Sequence, residues 1–225
     1  RYDEFMLYRI FFKPFELLIG VIFTWLEGFI SSPGVSLMLL SLIVSTIVLP
    51  LTLIVERFQQ KERDVQLAMK PKIDEFKSVY KGYERYLYIN EVYRRHSYHP
   101  VYALRGLSGL LIQIPFFIGA YSFLSHYPGL NGTGFLFLAD LGAPDHLLPF
   151  KVNLLPFVMT AANLLSGYVY GTNISRREHI NIIVIALLFL FILYSSPSGL
   201  LVYWTGNNLY SLGKNLVLKY RGGRA

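Results

Sequence analysis

Apolar stretches long enough to cross a bilayer constrain this chain more than any other feature, because inside hydrocarbon a peptide group can hydrogen-bond only to other peptide groups. A hydrocarbon core about 30 Å thick takes roughly 20 helical residues at about 1.5 Å each. Five windows approach that length: Val35 to Val55, Gly106 to Leu124, Phe150 to Tyr170, Ile180 to Tyr194 and Leu200 to Leu218. The fourth is short, as expected where the bilayer is locally thinned. Composition agrees, since 53% of the 225 residues are hydrophobic and only 16% are charged, too greasy for an ordinary soluble domain. The expected class is an all-α membrane protein with five transmembrane helices.

Ahead of the first span, Leu7 to Ile30 is also apolar but is interrupted by Arg9, Lys13, Pro14, Glu16 and Glu27, and it ends at Ser31-Ser32-Pro33-Gly34. Residues 1–34 therefore read as an interfacial amphipathic helix and linker rather than a sixth span. They do not read as a cleavable signal peptide, because the charges are scattered and no small-residue cleavage site follows a compact apolar core. The chain does not open on Met, which fits an upstream piece having been removed or trimmed. The remainder, 35–225, reads as one five-helix core that includes a hairpin at 56–104 and a loop at 125–149.

Charge orients the spans. Eleven Lys and Arg lie between the first two, whereas Ser125 to Phe150 contains none and carries Asp140 and Asp145. The basic segment is expected in the cytoplasm, together with Arg176, Arg177, Lys214, Lys219, Arg221 and Arg224. The N-terminus is then outside and the C-terminus inside. The net charge of +7 reads as topology and lipid-headgroup contact; no RNA-binding motif is present and no DNA partner is expected.

Within the basic segment Val65, Met69, Ile73, Phe76 and Tyr80 recur at helical spacing, and Pro71 suits the first turn of a new helix. Lys81-Gly82 breaks the pattern. Tyr86, Ile89 and Tyr93 then give the apolar stripe of a returning helix ending near His99-Pro100. A cytoplasmic helical hairpin follows, read either as a solvated connector with a self-packed seam or as a docking surface. The loop at Tyr127 to Gly134 is turn-rich and is expected to form a short amphipathic cap.

The last span carries Thr205, Asn207, Asn208 and Ser211. A polar side chain facing hydrocarbon loses its water partners at several kcal/mol, so such groups turn toward other helices or a water-filled cavity. Ser41, Ser45 and Thr46 on the first span, Gln113 on the second, and Thr160 and Asn163 on the third add to the same census. Two plain alternatives stay open for each: Ser and Thr bond their own helix backbone, and Asn or Gln bridges helices.

Enzyme chemistry finds little support. The absence of cysteine removes thiolate catalysis, disulfides and Cys-based metal sites. His96, His99, His126, His146 and His179 have no helical metal-ligand spacing. Pro197-Ser198-Gly199 lacks a G-x-S-x-G context and reads as a tight link between antiparallel spans. No catalytic residue, metal or cofactor is expected. A secondary transporter is disfavoured because no inverted repeat and no membrane-embedded acid is evident.

Three motifs resemble the YidC-type (Oxa superfamily) membrane protein insertases: LLIQIPFFIGAYSFL at Leu110 to Leu124, FLADLGAPDHLLP at Phe137 to Pro149, and SPSGLLVYWTGNNL at Ser196 to Leu209. MKPKIDEF at Met69 to Phe76 is similar to the start of the family's cytoplasmic hairpin. The resemblance covers about Leu7 to Lys214 and implies a hydrophilic groove amid five helices, closed toward the outside and open to cytoplasm and lipid. Ser41, Ser45, Gln113, Asn163, Trp204, Thr205, Asn207 and Asn208 are the candidate groove and client-binding residues, with Trp204 where the family often has a groove-facing aromatic. The implied partners are nascent membrane proteins as clients, membrane lipids, and a Sec translocon or ribosome. The implied form is a monomer in a bacterial plasma membrane, in preference to an organelle. One departure stands out: five residues before Pro50 the family usually has an arginine, and here that position is Ser45. The departure motivates an alternative, a diverged member handling a lipid-linked or amphiphilic molecule as an envelope-transport accessory.

Overall fold

The computed structural model describes residues 2–102, 108–170 and 176–222. Their regular structure is helical, apart from isolated β-bridges at Phe135–Leu138 and Leu148–Val152. In chain order the helices are α1 (Tyr2–Phe11), α2 (Lys13–Glu27), α3 (Pro33–Val79), α4 (Gly82–Arg95), α5 (Ser108–His126), α6 (Leu155–Tyr170), α7 (Arg176–Leu193) and α8 (Ser198–Gly222). The chain divides into two compact units, Arg1–Val48 with Pro115–Ala225, and Leu49–Ile114. Helix α3 is long and apolar enough to cross a membrane, and Leu111–His126, Leu155–Val169 and His179–Leu193 are shorter apolar helical stretches.

In the first unit, the amphipathic helix expected over 1–34 is two helices. Pro14 lacks an N–H and is tolerated only in a first turn, so the chain breaks at Phe12 and restarts as α2. Ile19, Phe23 and Leu26 recur at helical spacing on α2 and are fully or nearly fully buried in a cluster that includes Ala120 and Leu124 of α5. The ring of Phe15 meets Phe116 edge-on at 4.6 Å, and the Tyr8 hydroxyl is hydrogen-bonded to Glu16 Oε2 at 2.6 Å and Ser122 Oγ at 2.7 Å.

The span expected from Phe150 begins five residues later. Phe150 is 99% exposed with φ of 61°, outside α6. The helix starts where Asp145 can cap it: its carboxylate accepts from the Leu154 N–H at 2.8 Å and the Leu155 N–H at 2.5 Å. These are among the first amide donors that the helix itself leaves unpaired. Asp140 performs a similar service in the preceding loop, accepting from Gly132 N–H at 2.9 Å and Gly142 N–H at 2.7 Å. Both loop acids are thus spent on backbone. The Tyr127 hydroxyl donates to Glu27, and this bond, followed by burial, pushes the phenol up to about 12.

In the second unit, α3 continues through Pro71 to Val79. The new helix expected at Pro71 does not form. A mid-helix proline forfeits one backbone bond at a cost of about 3 kcal/mol, and the helix nonetheless continues, with Met69 two residues before it 1% exposed. The break falls at Lys81-Gly82 as expected, with Gly82 at φ of 58°, a conformation L side chains rarely adopt. Helix α4 ends at Arg95, short of His99-Pro100. The hairpin seam uses Tyr88, whose ring stacks on Tyr80 at 4.2 Å, and Val92, which is buried. Tyr86 is 62% exposed and lies off the seam, contrary to the expected stripe, because the returning register is set by Tyr88 and Val92. At the hairpin base Gln66 Nε2 donates to Glu62 Oε1 at 3.0 Å and to the Tyr98 hydroxyl at 3.2 Å.

Candidate functional site

Helix α8 organises the first unit. Its N-terminus is pinned to the loop before α6: Ser198 N–H and Oγ both donate to Ala143 O at 2.8 and 2.6 Å, and Gly199 N–H donates to Leu141 O at 2.8 Å. Leu200 to Trp204 follow, all buried. The Pro197-Ser198-Gly199 segment is thus a link between α7 and α8 whose serine serves the backbone.

Beyond this anchor α8 carries polar side chains on two faces. Toward α3, the Ser45 hydroxyl donates to Asn207 Oδ1 at 2.7 Å, and Thr46 Oγ1 lies 3.3 Å from the Tyr210 hydroxyl. Toward α6, Asn163 Nδ2 donates to Asn208 Oδ1 at 3.1 Å and Ser166 Oγ lies 3.1 Å from Ser211 Oγ. Asn215 Nδ2 donates to Ser166 O at 3.0 Å and to Ser166 Oγ at 3.1 Å. Asn208 Nδ2 reaches Met159 O at 3.4 Å. A polar seam therefore runs along α8 through an otherwise apolar bundle. The close approach at its head is set by Gly206, where an added Cβ would lie 2.1 Å from Ser41 Oγ.

The candidate residues divide by role. Ser45, Asn163 and Asn207 are half-buried members of the seam, and Thr205 is half-buried beside it on α8. Asn208 is buried within it. Thr205 Oγ1 is buried with no hydrogen-bond partner among the described residues, a cost of about 1–3 kcal/mol for a hydroxyl. Ser41 is 0% exposed and donates to Met38 O at 2.7 Å, so it serves its own helix. Thr160 likewise donates to Pro156 O at 2.7 Å. Gln113 is half-buried on the portion of α5 that belongs to the second unit.

Trp204 is buried in aromatic packing. It is 3% exposed, with its ring 5.0 Å from Phe117 and 6.0 Å from Phe189. In this structure the indole is packed in an aromatic cluster from α5, α7 and α8. Burying a large aromatic against two others gains more than leaving it at a surface. Conversely, Ser166 and Asn215, which the polar census did not include, join the seam together with Ser211. Their signal is in the sequence: 208, 211 and 215 on α8 and 163 and 166 on α6 share one helical face each.

Arg105 and Arg224 lie outside the described residues, as does the opening of the second expected span at Gly106. Lys151 is exposed beside Phe150, and Lys214 is half-buried on α8.

A family model described as the 60Kd inner membrane protein matches residues 25–223. The membrane protein insertase YidC of Treponema denticola is 29% identical over 226 residues, covering 92% of this chain and 38% of the relative. That of Wolinella succinogenes is 30% identical over 212 residues, covering 92% and 37%. The chain thus spans less than two-fifths of the length of these curated relatives. Among solved structures, a crystal structure of an active YidC insertase with its first transmembrane domain resolved is 25% identical, with a TM-score of 0.61, covering 90% of this chain and 45% of that one.

Proposed function

The chain belongs to the 60Kd inner membrane protein (YidC-type) family, and on that premise we propose that it is a membrane protein insertase or chaperone that passes client helices into the bilayer along the α8 seam. The residues proposed to meet the client are Ser45, Asn163, Thr205, Asn207 and Asn208, with Gln113 as a further contact. The observation that carries this reading is the seam itself, a row of amides and hydroxyls inside an apolar bundle, with an unpaired Thr205 hydroxyl on the same helix.

Its energetics suit transfer rather than permanent locking. Side-chain hydrogen bonds between membrane helices average about 0.6 kcal/mol, so each is readily exchanged for water or for a client's polar group. A client's exposed peptide groups, which cost several kcal/mol each in hydrocarbon, find partners there. Burial of its apolar side chains in lipid, at about 25 cal/mol per Å², then favours release. The scheme needs no nucleotide and no catalytic side chain.

The proposed setting is a bacterial inner membrane. Residues 1–34 lie along the interface, five helices span, the hairpin at 56–104 is cytoplasmic and the loop at 125–149 is outside, and the unit works as a monomer. A Sec translocon or ribosome is a further proposed partner. The matched relatives are named as insertases, which favours this reading over the handling of lipid-linked molecules.

Photo-crosslinking tests it. Reactive residues at Ser45, Thr205 and Asn207 are expected to capture a nascent membrane protein during insertion, whereas one at Trp204 is not. Equal capture at all four positions, or none at the first three, removes the seam as the client path.

A further inference from the structure

A second binding feature lies on α3 beyond its apolar run. A surface cavity of about 380 Å³ is lined by Ile54, Arg57, Phe58, Gln60 and Lys61. At about 100° per residue, positions 54, 57, 58 and 61 share one helix face about a third of the circumference wide. Two large apolar side chains, Ile54 at 50% and Phe58 at 58% exposure, thus stand beside two exposed cations.

Acids nearby are committed elsewhere. Glu56 projects from the opposite face by helical spacing, Glu62 is buried and accepts from Gln66, and Asp64 accepts from the Gln60 amide at 2.8 Å. Arg57 and Lys61 have no ion-pair partner among the described residues. The face therefore combines a fixed double positive charge with an apolar wall at the point where the apolar run of α3 ends.

We propose that this face is a binding site for an anionic phospholipid, its phosphate-bearing headgroup held by Arg57 and Lys61 and an acyl chain lying against Ile54 and Phe58. The proposal rests on the membrane placement of α3 in the functional reading above. Free phosphate satisfies the cations but leaves the apolar wall bare, and a neutral lipid does the reverse. Only an anionic amphiphile satisfies both halves. Guanidinium suits a phosphate diester by its paired donors, and the lysine adds a point charge.

The test uses the full chain extracted from vesicles of phosphatidylglycerol and phosphatidylcholine, with bound lipid read by native mass spectrometry. The unaltered chain is expected to retain phosphatidylglycerol in preference to phosphatidylcholine. Arg57→Gln with Lys61→Gln is expected to weaken that retention about 30-fold, from roughly fivefold per juxtamembrane cation. Phe58→Ala is expected to weaken retention of phosphatidylglycerol while leaving inorganic phosphate a poor competitor. A charge-matched control, Lys72→Gln with Lys77→Gln on the exposed hairpin, is expected to change nothing. Equal loss in that control, equal retention of both lipids, or displacement by millimolar inorganic phosphate overturns the site. Lipid retention is measured without a client, so failure of client insertion with intact retention removes the insertase reading and leaves this site standing.

Discussion

Replacing Ser45 by arginine is the sharpest probe of whether the proposed client path discriminates by charge. The serine hydroxyl donates to Asn207 Oδ1 at 2.7 Å, and a guanidinium at this position still has donors for that oxygen, so the helix contact is conserved in kind. What changes is charge. A client carboxylate brought to about 4 Å from the guanidinium, at an effective dielectric of about 20, gains roughly 4 kcal/mol before desolvation. Removing the carboxylate from water takes back several kcal/mol if the site is dry and less if it is wet. Ser45 and Asn207 are half-buried, so about a third of the gain is expected to survive, roughly 1.4 kcal/mol or a factor of ten. The assay is insertion into proteoliposomes of paired clients that differ only in whether the translocated tail carries aspartates or asparagines. Ser45→Arg is expected to raise insertion of the acidic-tailed client about tenfold and to leave the neutral one unchanged, with the difference shrinking at high salt. Ser45→Gln, bulky and uncharged, is expected to help neither. A gain shared by both tails, or a gain with glutamine, would refute the electrostatic account and leave only a steric one.

Gly206→Ala places a methyl 2.1 Å from Ser41 Oγ and is expected to destabilise the unit by about 1–3 kcal/mol, read as a lower thermal midpoint in detergent, with Ser41→Gly restoring much of it. Asp145→Ala removes the acceptor for the Leu154 and Leu155 amides and is expected to cost about 1–2 kcal/mol. Hydrogen exchange at those two amides should accelerate while exchange in α8 does not. Glu91 is held down to about 2 by Arg94 first and then Arg95. Because the folded value lies below the ordinary 4.5, its contribution is present above pH 4.5 and is lost as pH falls toward 2. Carboxyl-resolved NMR of the hairpin should place the midpoint near 2, moving up in Arg94→Gln.

The all-helical class was legible because its signal is collective: a long apolar run cannot be hidden by one exception. The misreadings came from single residues whose outcome depends on a neighbour distant in sequence. Pro71 carries a strong local penalty, yet α3 runs through it to Val79 with Met69 buried two residues away, and nothing local announces that. Phe150 counts as apolar in any window, but the start of α6 is decided by where the Asp145 carboxylate sits. The packing of the Trp204 indole is likewise set by Phe117 and Phe189 from other helices, which no local window announces. The polar seam was half legible for a similar reason. Helical spacing places 208, 211 and 215 on one stripe, while the partner that each one meets belongs to another helix.

The unequal fastening of α8 has a mechanical consequence. One end is tied by main-chain bonds at Ser198 and Gly199 and wedged by a run of packed side chains, while the remainder rests on side-chain contacts that a solvent molecule can replace. A rod held in that manner yields by pivoting about its fixed end, so the gap it opens widens steadily with distance from Ser198. On the proposed insertase reading, a passing segment would enter at the end of α8 away from Ser198 and leave the clasp undisturbed.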